Sequence, residues 1–445
     1  MNLPEAFVNR LKTQFPNQWE LMVPAYNREI QTSVLKHPKK FKNTSIIGEE
    51  VRWNSLGMLL KERPKFTFDP HYHAGAYYSQ EANSMLIGHL FQQAIHEIEN
   101  PAVLDLCAAP GGKSLIYATL LREKGVLVSN EVMPQRLSIL RENLDKWGIP
   151  NVFTLGMYPN KIPFTHCFDV VAVDAPCSGE GLFRKQIDYR GEWKESFAHT
   201  CAVRQHEILE DAVRLLKPGG YLLYSTCTFA QEENEEIISY LTDEFQLENI
   251  PVEMKKEWNV DVVKGLSGEG YRMLPHNTPG EGFFCTLLRK PEGHTERIRF
   301  KPNSKIVPLT AKERSTVNAF IHEDVALVKN EKGLVFLDTL QHTFKEIWRA
   351  LLPNANAGTL VGEFMKDKFI PGQGIANTGI ESVEARKLEL SYENVIRYLK
   401  KEVIQVEEVE TGFVLVTFEQ QNIGWGKVVG TRLNNNYPNE WRIRS

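Results

Sequence analysis

The sequence predicts an α/β chain with an open, doubly wound, mostly parallel sheet of the Rossmann-like kind at its centre and further domains on either side. Three observations lead there. Between residues 100 and 290, strand-like apolar runs alternate with helix-like segments, the pattern of a parallel sheet covered by helices. Three of these runs end in chemically loaded loops, as expected of a fold that binds ligands beyond the carboxyl ends of its strands. A length of 445 residues exceeds the ~100–200 of an ordinary domain, so two to four are expected.

Taken in order, Val103-Leu104-Asp105-Leu106 reads as the first buried strand, followed by a Gly-rich turn and a helix over 113–122. Residues 125–131 form the second strand. Pro134 suits a helix start, where its missing N–H costs nothing, and Trp147-Gly148 ends that helix. The third strand covers 151–155, the fourth 168–174 and the fifth 220–226, after the turn Lys217-Pro218-Gly219-Gly220. Helices are expected over 196–216 and 234–241, and 283–288 as a last strand at the sheet's far edge. Outside this region, 4–14 looks like an amphipathic helix and Pro371-Gly372-Gln373-Gly374 like a linker; no internal repeat is visible.

Hydrophobic residues at 42% and charged residues at 24% exclude global disorder and a fibrous chain. No apolar run approaches the ~18 residues that would span a bilayer, and the start MNLPEAFVNRLK lacks a secretory core, so a soluble, cytoplasmic monomer with no membrane partner is expected. Six cysteines, at 107, 167, 177, 201, 227 and 285, include no C-x-x-C pair, which argues for free thiols and against a metal site or a disulfide framework. The net charge of −4 hides an uneven distribution: +4 over residues 1–75, −9 over 76–290 and +1 over 291–445. The densest basic run, Lys36-His37-Pro38-Lys39-Lys40-Phe41-Lys42, reads either as a phosphate-tracking patch or as a solvated loop.

The loop after the first strand admits two chemistries. Residues 107–114 nearly fit the phosphate loop G-x-x-x-x-G-K-S, and Val170-Val171-Ala172-Val173-Asp174 resembles a strand whose aspartate meets magnesium, so a nucleotide hydrolase must be weighed. However, Cys107 replaces the first glycine, and Pro110 removes an amide from a loop whose function is to point amides at phosphates. The other reading is a nucleoside cofactor without phosphate. Gly111 and Gly112 would let the backbone approach it, and Glu131, 19 residues after Gly112, sits near the ~20 expected of a carboxylate on a ribose. The fingerprint G-x-G-x-x-G is absent, which disfavours NAD and leaves S-adenosylmethionine.

Carbon 5 of a pyrimidine is a poor nucleophile and must be activated before it can take a methyl group. A thiolate adding to carbon 6 makes carbon 5 enamine-like, and a carboxylic acid at ring N3 eases that addition. Asp174 and Cys177 stand at the end of the fourth strand, and Cys227 at the end of the fifth. A lone cysteine is more often a small core residue, which is the reading given to Cys167, Cys201 and Cys285, while Cys107 reads as loop lining. Cys177 and Cys227 both follow strands at the ligand-binding edge, and spacing alone does not order them.

The motifs CAAPGGK at 107–113, DAPCSGEGLFRK at 174–185 and YSTCTFAQEENE at 224–235 resemble the Sun-type RNA cytosine-5 methyltransferases, specifically the bacterial RsmF-like small-subunit rRNA enzymes. LPEAFVNRLK, HYHAGAYYSQE at 71–81 and IGWGKVVGTRLNNNYPNEWR at 423–442 are similar to the family's flanking signatures. The resemblance implies that Cys227 is the nucleophile and that Cys177 helps release the covalent adduct. It implies that Cys107, Ala108, Ala109, Pro110, Gly111, Gly112 and Lys113, with Glu131, Asp174 and Arg136, contact the cofactor S-adenosylmethionine or the target base. Lys113 would then be a cofactor-loop residue and not a phosphate clamp. Many relatives carry an aspartate after the third strand that accepts from the adenine amino group; Gly156-Met157-Tyr158-Pro159 stands here instead, leaving Tyr158 or backbone groups to hold the adenine.

The same resemblance gives the flanks a role: an N-terminal RNA-binding domain over 1–75, a catalytic domain over 76–290, and a C-terminal α+β RNA-binding region over 291–445. That last region divides near 371–385, with a PUA-like barrel around Trp425, Gly426 and Lys427 at its end. Trp425 and Trp441 read equally well as core aromatics of a small β domain. The expected partner is RNA, most of all small-subunit (16S) rRNA, with tRNA or an inert RNA-binding assembly factor as alternatives.

Overall fold

The computed structural model describes residues 3–122, 124–264, 267–294, 306–322, 324–338, 344, 358–366, 368–381, 384–407 and 409–444. They form four β-sheets. In the first, Ser33–Lys36 lies between Asn54–Leu60 and Tyr77–Ser79, with Gly48–Val51 outermost, all antiparallel. Because Tyr77–Ser79 belongs to it, this sheet runs past the boundary expected at residue 75. The helix expected over 4–14 is Glu5–Gln14, and it buries Phe7 and Leu11. Phe7 meets Tyr26, Phe183 and Trp193 edge-on at 5.7, 5.0 and 5.3 Å, so the first helix is anchored in the catalytic region.

The second sheet has nine strands. Its parallel part runs, in spatial order, Leu216–Thr226, Phe168–Asp174, Ala102–Asp105, Val126–Asn130 and Val152–Leu155. All five expected strands are present. Every residue of Ala102–Asp105 and Val126–Asn130 is buried, which is why they read as continuous runs without alternation. Helices Gly112–Leu121, Pro134–Trp147, Ser196–Leu215 and Glu235–Phe245 accompany them. Gly148, at φ +78°, closes the second of these, and its N–H bonds Leu144 O at 2.9 Å.

Two expectations about this sheet are corrected. The fifth strand begins at Leu216, because the register jumps from Phe168↔Leu216 to Val170↔Tyr221 and absorbs the 217–220 turn as a bulge. Phe283–Arg289 is not an edge: it pairs antiparallel with the fifth strand on one side and with Glu269–Met273 on the other, and Asp261–Lys264 lies beyond.

The C-terminal part holds two five-stranded sheets. One is an antiparallel meander of Ile306–Pro308, Leu327–Asn330, Leu334–Leu337, Leu360–Met365 and Lys368–Pro371. The other places Lys387–Glu389 parallel to Gly412–Phe418, followed by Gln421–Val429, Arg432–Asn435 and Ile404–Gln405. The segment 371–374 is not a linker. Pro371 ends a strand, Gln373–Ala376 is a helical turn with Gly374 and Ile375 buried, and Gln373 Nε2 donates to Ile423 O at 2.8 Å, so the two sheets are joined by packed backbone. Trp425, 1% exposed, belongs to the core these sheets share with Val361, Phe369 and Ile375, and half-buried Trp441 packs on Tyr437 at 5.8 Å. Trp425 is a core residue and Trp441 packs against the core. Among the described residues no helix is long and apolar enough to cross a membrane.

Lys40, in the basic run, is an internal residue. Its Nζ donates to Ala74 O, Lys146 O and Trp147 O at 3.1, 2.9 and 3.0 Å, capping the helix Pro134–Trp147, while Gln421 donates to Lys40 O at 2.7 Å. N-terminal, catalytic and C-terminal parts thus meet at one lysine.

Candidate active site

In the parallel sheet the strand order reverses between Ala102–Asp105 and Phe168–Asp174, and a crevice opens where their carboxyl ends diverge. It is a cavity of about 670 Å³. Cys107, Ala109, Glu131, Arg136, Tyr158, Asp174, Cys177 and Cys227 all line it, so the geometry brings together residues from five strand ends. Ala108, Pro110, Gly111, Gly112 and Lys113 do not line it.

The first loop is held from below and from the side. Ser114 Oγ donates to Asp105 Oδ2 at 2.6 Å and lies 2.9 Å from Ser129 Oγ. Burial pushes the Asp105 carboxyl up to about 7, and its Oδ1 has no partner among the described residues. Arg136 reaches across the crevice, donating to Ala109 O at 2.6 Å and pairing with Glu131 Oε2 at 3.2 Å; Glu131 Oε1 accepts from Met133 N at 2.8 Å. Gly111 takes φ +119°, a conformation that favours glycine. Packing also bears on Gly112, where a Cβ would stand 1.9 Å from Gln80 Oε1.

Lys113 reaches across to the fourth strand. Its Nζ lies 2.8 Å from Asp174 Oδ2 and 5.4 Å from the Phe283 ring centre. Burial works against its charge, but the attraction of Asp174 wins and its pKa is raised. Asp174 Oδ1 accepts from Ser225 Oγ at 3.0 Å, and the register Asp174↔Ser225 explains why.

The sulfurs of Cys177 and Cys227 are 3.0 Å apart, and Cys227 N–H points at Cys177 Sγ at 3.4 Å. Its contact with the Cys227 sulfur, and then burial, push the Cys177 thiol well up, so Cys177 keeps its proton. Burial raises Cys107 as well, in keeping with loop lining.

Behind the thiols lies a polar network that the sequence reading missed. Glu233 is fully buried and accepts from Ser178 N and Gln205 Nε2, each at 2.9 Å, and from the Ser178 hydroxyl. Ser178 Oγ is 2.8 Å from Thr228 Oγ1. One carboxylate therefore ties the residue after Cys177 to the loop after Cys227. Burial lifts Glu233 to about 7. Arg10 of the first helix contacts Glu232 and lies 3.9 Å from Glu180, while Gln14 donates to Phe229 O, so the N-terminal domain grips both cysteine loops. The far wall of the crevice comes from the helix Ser196–Leu215, through Arg204, Glu207 and Asp211. Polar residues at one helical spacing, 204, 207 and 211, were the available signal.

Three segments of the chain match known families. Residues 92–289 match the family described as 16S rRNA methyltransferase RsmB/F, residues 3–82 the N-terminal domain of 16S rRNA methyltransferase RsmF, and residues 385–443 the methyltransferase RsmF PUA domain. Similar curated proteins include the ribosomal RNA small subunit methyltransferase F of Aeromonas salmonicida, 30% identical over 82% of this chain and 79% of that protein. That of Psychromonas ingrahamii is 28% identical over 98% of this chain and 97% of that protein. A solved methyltransferase homolog from Pyrococcus horikoshii has a TM-score of 0.55 at 26% identity, covering 64% of this chain and 95% of that one. The structure of NSun6 from the same organism with SFG, at TM-score 0.54 and 18% identity over 65% of this chain and 99% of that one, shares the fold.

Proposed function

The chain belongs to the family of ribosomal RNA small subunit methyltransferase F, S-adenosylmethionine-dependent enzymes, and on that premise we propose that it makes 5-methylcytosine in 16S rRNA through a covalent cysteine adduct. The observation that carries this reading is the pair of sulfurs 3.0 Å apart beside the Lys113–Asp174 ion pair. Methylating an amine or a hydroxyl requires no thiol at all.

The crevice fits the methyl donor. Its lining holds four carboxylates, Glu131, Asp174, Glu207 and Asp211, against two guanidiniums, Arg136 and Arg204. That balance suits a ligand with sulfonium and ammonium charges and opposes nucleotide phosphates, so the hydrolase reading loses its ligand. Glu131 would accept from the ribose, and Tyr158, 63% exposed at the rim, would cover the adenine. When bound, S-adenosylmethionine supplies an electrophilic methyl group.

Cys227 acts as the nucleophile. Cys177, kept protonated, donates its S–H toward the Cys227 sulfur and stabilises the thiolate, and the Lys113 ammonium adds to that field. Sulfur bonds to carbon 6 of cytosine, the ring electrons shift toward N3, and the Lys113–Asp174 pair supplies the hydrogen bond that meets them. Once carbon 5 carries the methyl group, its proton passes to water, the C5–H electron pair forms the C5=C6 bond, and the C6–S bond breaks with its electron pair leaving on the Cys227 sulfur. Cys177, beside the adduct, assists that release. A base must leave its stack to reach this depth, which fits RNA that is single-stranded or opened.

Bisulfite sequencing of total RNA from cells lacking the protein, complemented with wild type or with Cys227→Ala, tests the reading. A 16S cytosine protected only by wild type is expected. A changed tRNA position would redirect the substrate assignment, and unchanged protection at every cytosine would defeat the proposal.

A further inference from the structure

A second cavity, of about 700 Å³, opens where all three parts of the chain meet. Its walls come from loop 37–40 and residues 53–56 of the N-terminal domain, the carboxyl ends of helices Gly112–Leu121 and Pro134–Trp147, and 377–379 of the C-terminal part. Those helix ends lie at the amino ends of the strands, so this cavity occupies the edge of the central sheet opposite the thiols. A helix of 10 residues, rising ~1.5 Å each, puts about 15 Å between them.

The two cavities differ in charge. Among the described residues, the second contains no Asp or Glu, although Asp and Glu outnumber Lys and Arg by 56 to 52 in the whole chain. It holds Lys39, Lys40 and Arg122. Lys40 donates to its three carbonyls, and Lys39 and Arg122 are exposed at the rim. His37 stays neutral, because burial drives its pKa down to about 2; its Nδ1 accepts from the backbone N–H groups of Lys39 and Lys40, both at 3.2 Å, and shapes the loop that carries Lys39. Asn377 lines the cavity and is 3% exposed, yet neither the nitrogen nor the oxygen of its amide has a partner among the described residues. Buried polar groups left unpaired are destabilising, so a ligand that pairs them is favoured. A side-chain amide places a donor next to an acceptor, the combination that pairs with a nucleobase edge.

We propose that this cavity is a nucleotide site for a segment of the RNA substrate, with backbone phosphate at Lys39 and Arg122 and an unstacked base toward Asn377. It rests on the reading of RNA as substrate and adds a contact remote from the reacting cytosine.

The test uses the full chain and a fluorescein-labelled single-stranded oligoribonucleotide of 16S sequence, with binding followed by anisotropy across salt concentrations. Replacing both exposed cations, Lys39→Gln with Arg122→Gln, is expected to weaken binding about 5- to 50-fold at low salt and to flatten the log–log salt slope by about 1.4, roughly 0.7 for each lost phosphate contact. S-adenosylmethionine affinity should not change. Asn377→Ala is expected to keep the slope and narrow the spread of affinities among oligonucleotides that differ in base. Wild-type affinity and slope in the double variant would overturn this proposal alone, whereas a wild-type protein that binds no oligonucleotide would remove the RNA reading beneath it. Displacement of the oligonucleotide by micromolar cytidine or adenosine monophosphate, lost in the double variant, would make this a free-nucleotide site and overturn the assignment to RNA.

Discussion

Cys177 Sγ lies 3.0 Å from Cys227 Sγ, although 50 residues separate them in the chain. The contact exists because the fourth and fifth strands are paired in register, Asp174 opposite Ser225, and each continues for only a few residues before its cysteine. Proximity of this kind lets one thiol control the protonation of the other. It also predicts different failures for the two alanine variants.

Cys227→Ala removes the sulfur that would bond to carbon 6, so methyl transfer should fall to background. Cys177→Ala leaves the nucleophile but removes the group beside the adduct, so enzyme should accumulate on RNA as a species that survives denaturing electrophoresis. The measurement is a gel of each variant mixed with 16S fragment and S-adenosylmethionine. A retained adduct in Cys227→Ala, or none in Cys177→Ala, would reverse or cancel the assigned roles.

Glu233 should affect rate more than binding, because it touches the two cysteine loops and not the crevice. Glu233→Gln keeps the shape but turns one acceptor oxygen into a donor, which cannot accept from both Ser178 groups and Gln205. A misplacement of under 1 Å between the thiols is expected to lower kcat by about 10- to 100-fold with KM nearly constant. Since burial lifts the carboxyl to about 7, wild-type kcat should decline as pH falls through that value and Glu233 gains a proton, and the Gln variant should lose this inflection. A variant with wild-type kcat and an unchanged acid limb would show Glu233 to be structural filler.

How much of this was legible depended on whether the signal was local. Strands such as Ala102–Asp105 announce themselves by unbroken apolar runs, and Asp174, Cys177 and Cys227 by following such runs directly. The partner of Lys113 was not legible, since its attachment to the Gly-rich loop suggested the cofactor, whereas the aspartate it meets arrives from another strand. The packing at Gly112 was not legible for the same reason: the side chain that crowds its Cβ position is Gln80, 32 residues earlier. Glu233 sits in a run of glutamates that looks like a solvated helix start, and only the packing of Gln205 and Tyr224 over it shows that it is buried. The meander over 306–371 has short strands joined across long sequence gaps, which leaves little periodicity to read.

Two thiols this close are also open to oxidation. Peroxide would oxidise the Cys227 thiolate to a sulfenic acid, and attack by the Cys177 sulfur would then form a disulfide; overall two thiols and one H2O2 give one disulfide and two waters. Low-millimolar hydrogen peroxide should abolish methylation, lower the thiols titrated under denaturing conditions from six to four, and be reversed by dithiothreitol. Cys177→Ser should keep its five remaining thiols out of any internal disulfide. Irreversible inactivation of wild type with no loss of thiols as a pair would refute the expectation.

The first helix supplies the last prediction, because Arg10 contacts Glu232 and faces buried Glu180. Burial raises the Glu180 pKa, and Arg10 is the largest influence lowering it again. Arg10→Gln should therefore raise it further and destabilise the fold by roughly 1–3 kcal/mol at neutral pH, the range for a charged hydrogen bond, since the bond to Glu232 is lost and Glu180 loses the cation 3.9 Å away. The sign follows from linkage: a carboxyl whose folded pKa lies above its unfolded value contributes stability below the unfolded pKa and loses it as pH rises through the folded one. The Tm deficit of the variant should accordingly grow as pH rises and the Glu180 carboxyl gives up its proton. Methylation should fall as well at temperatures where the protein is fully folded, since Glu180 also accepts from Phe229 N–H at 3.1 Å in the loop that follows Cys227. A deficit that shrinks with rising pH would show that Arg10 does not act through Glu180.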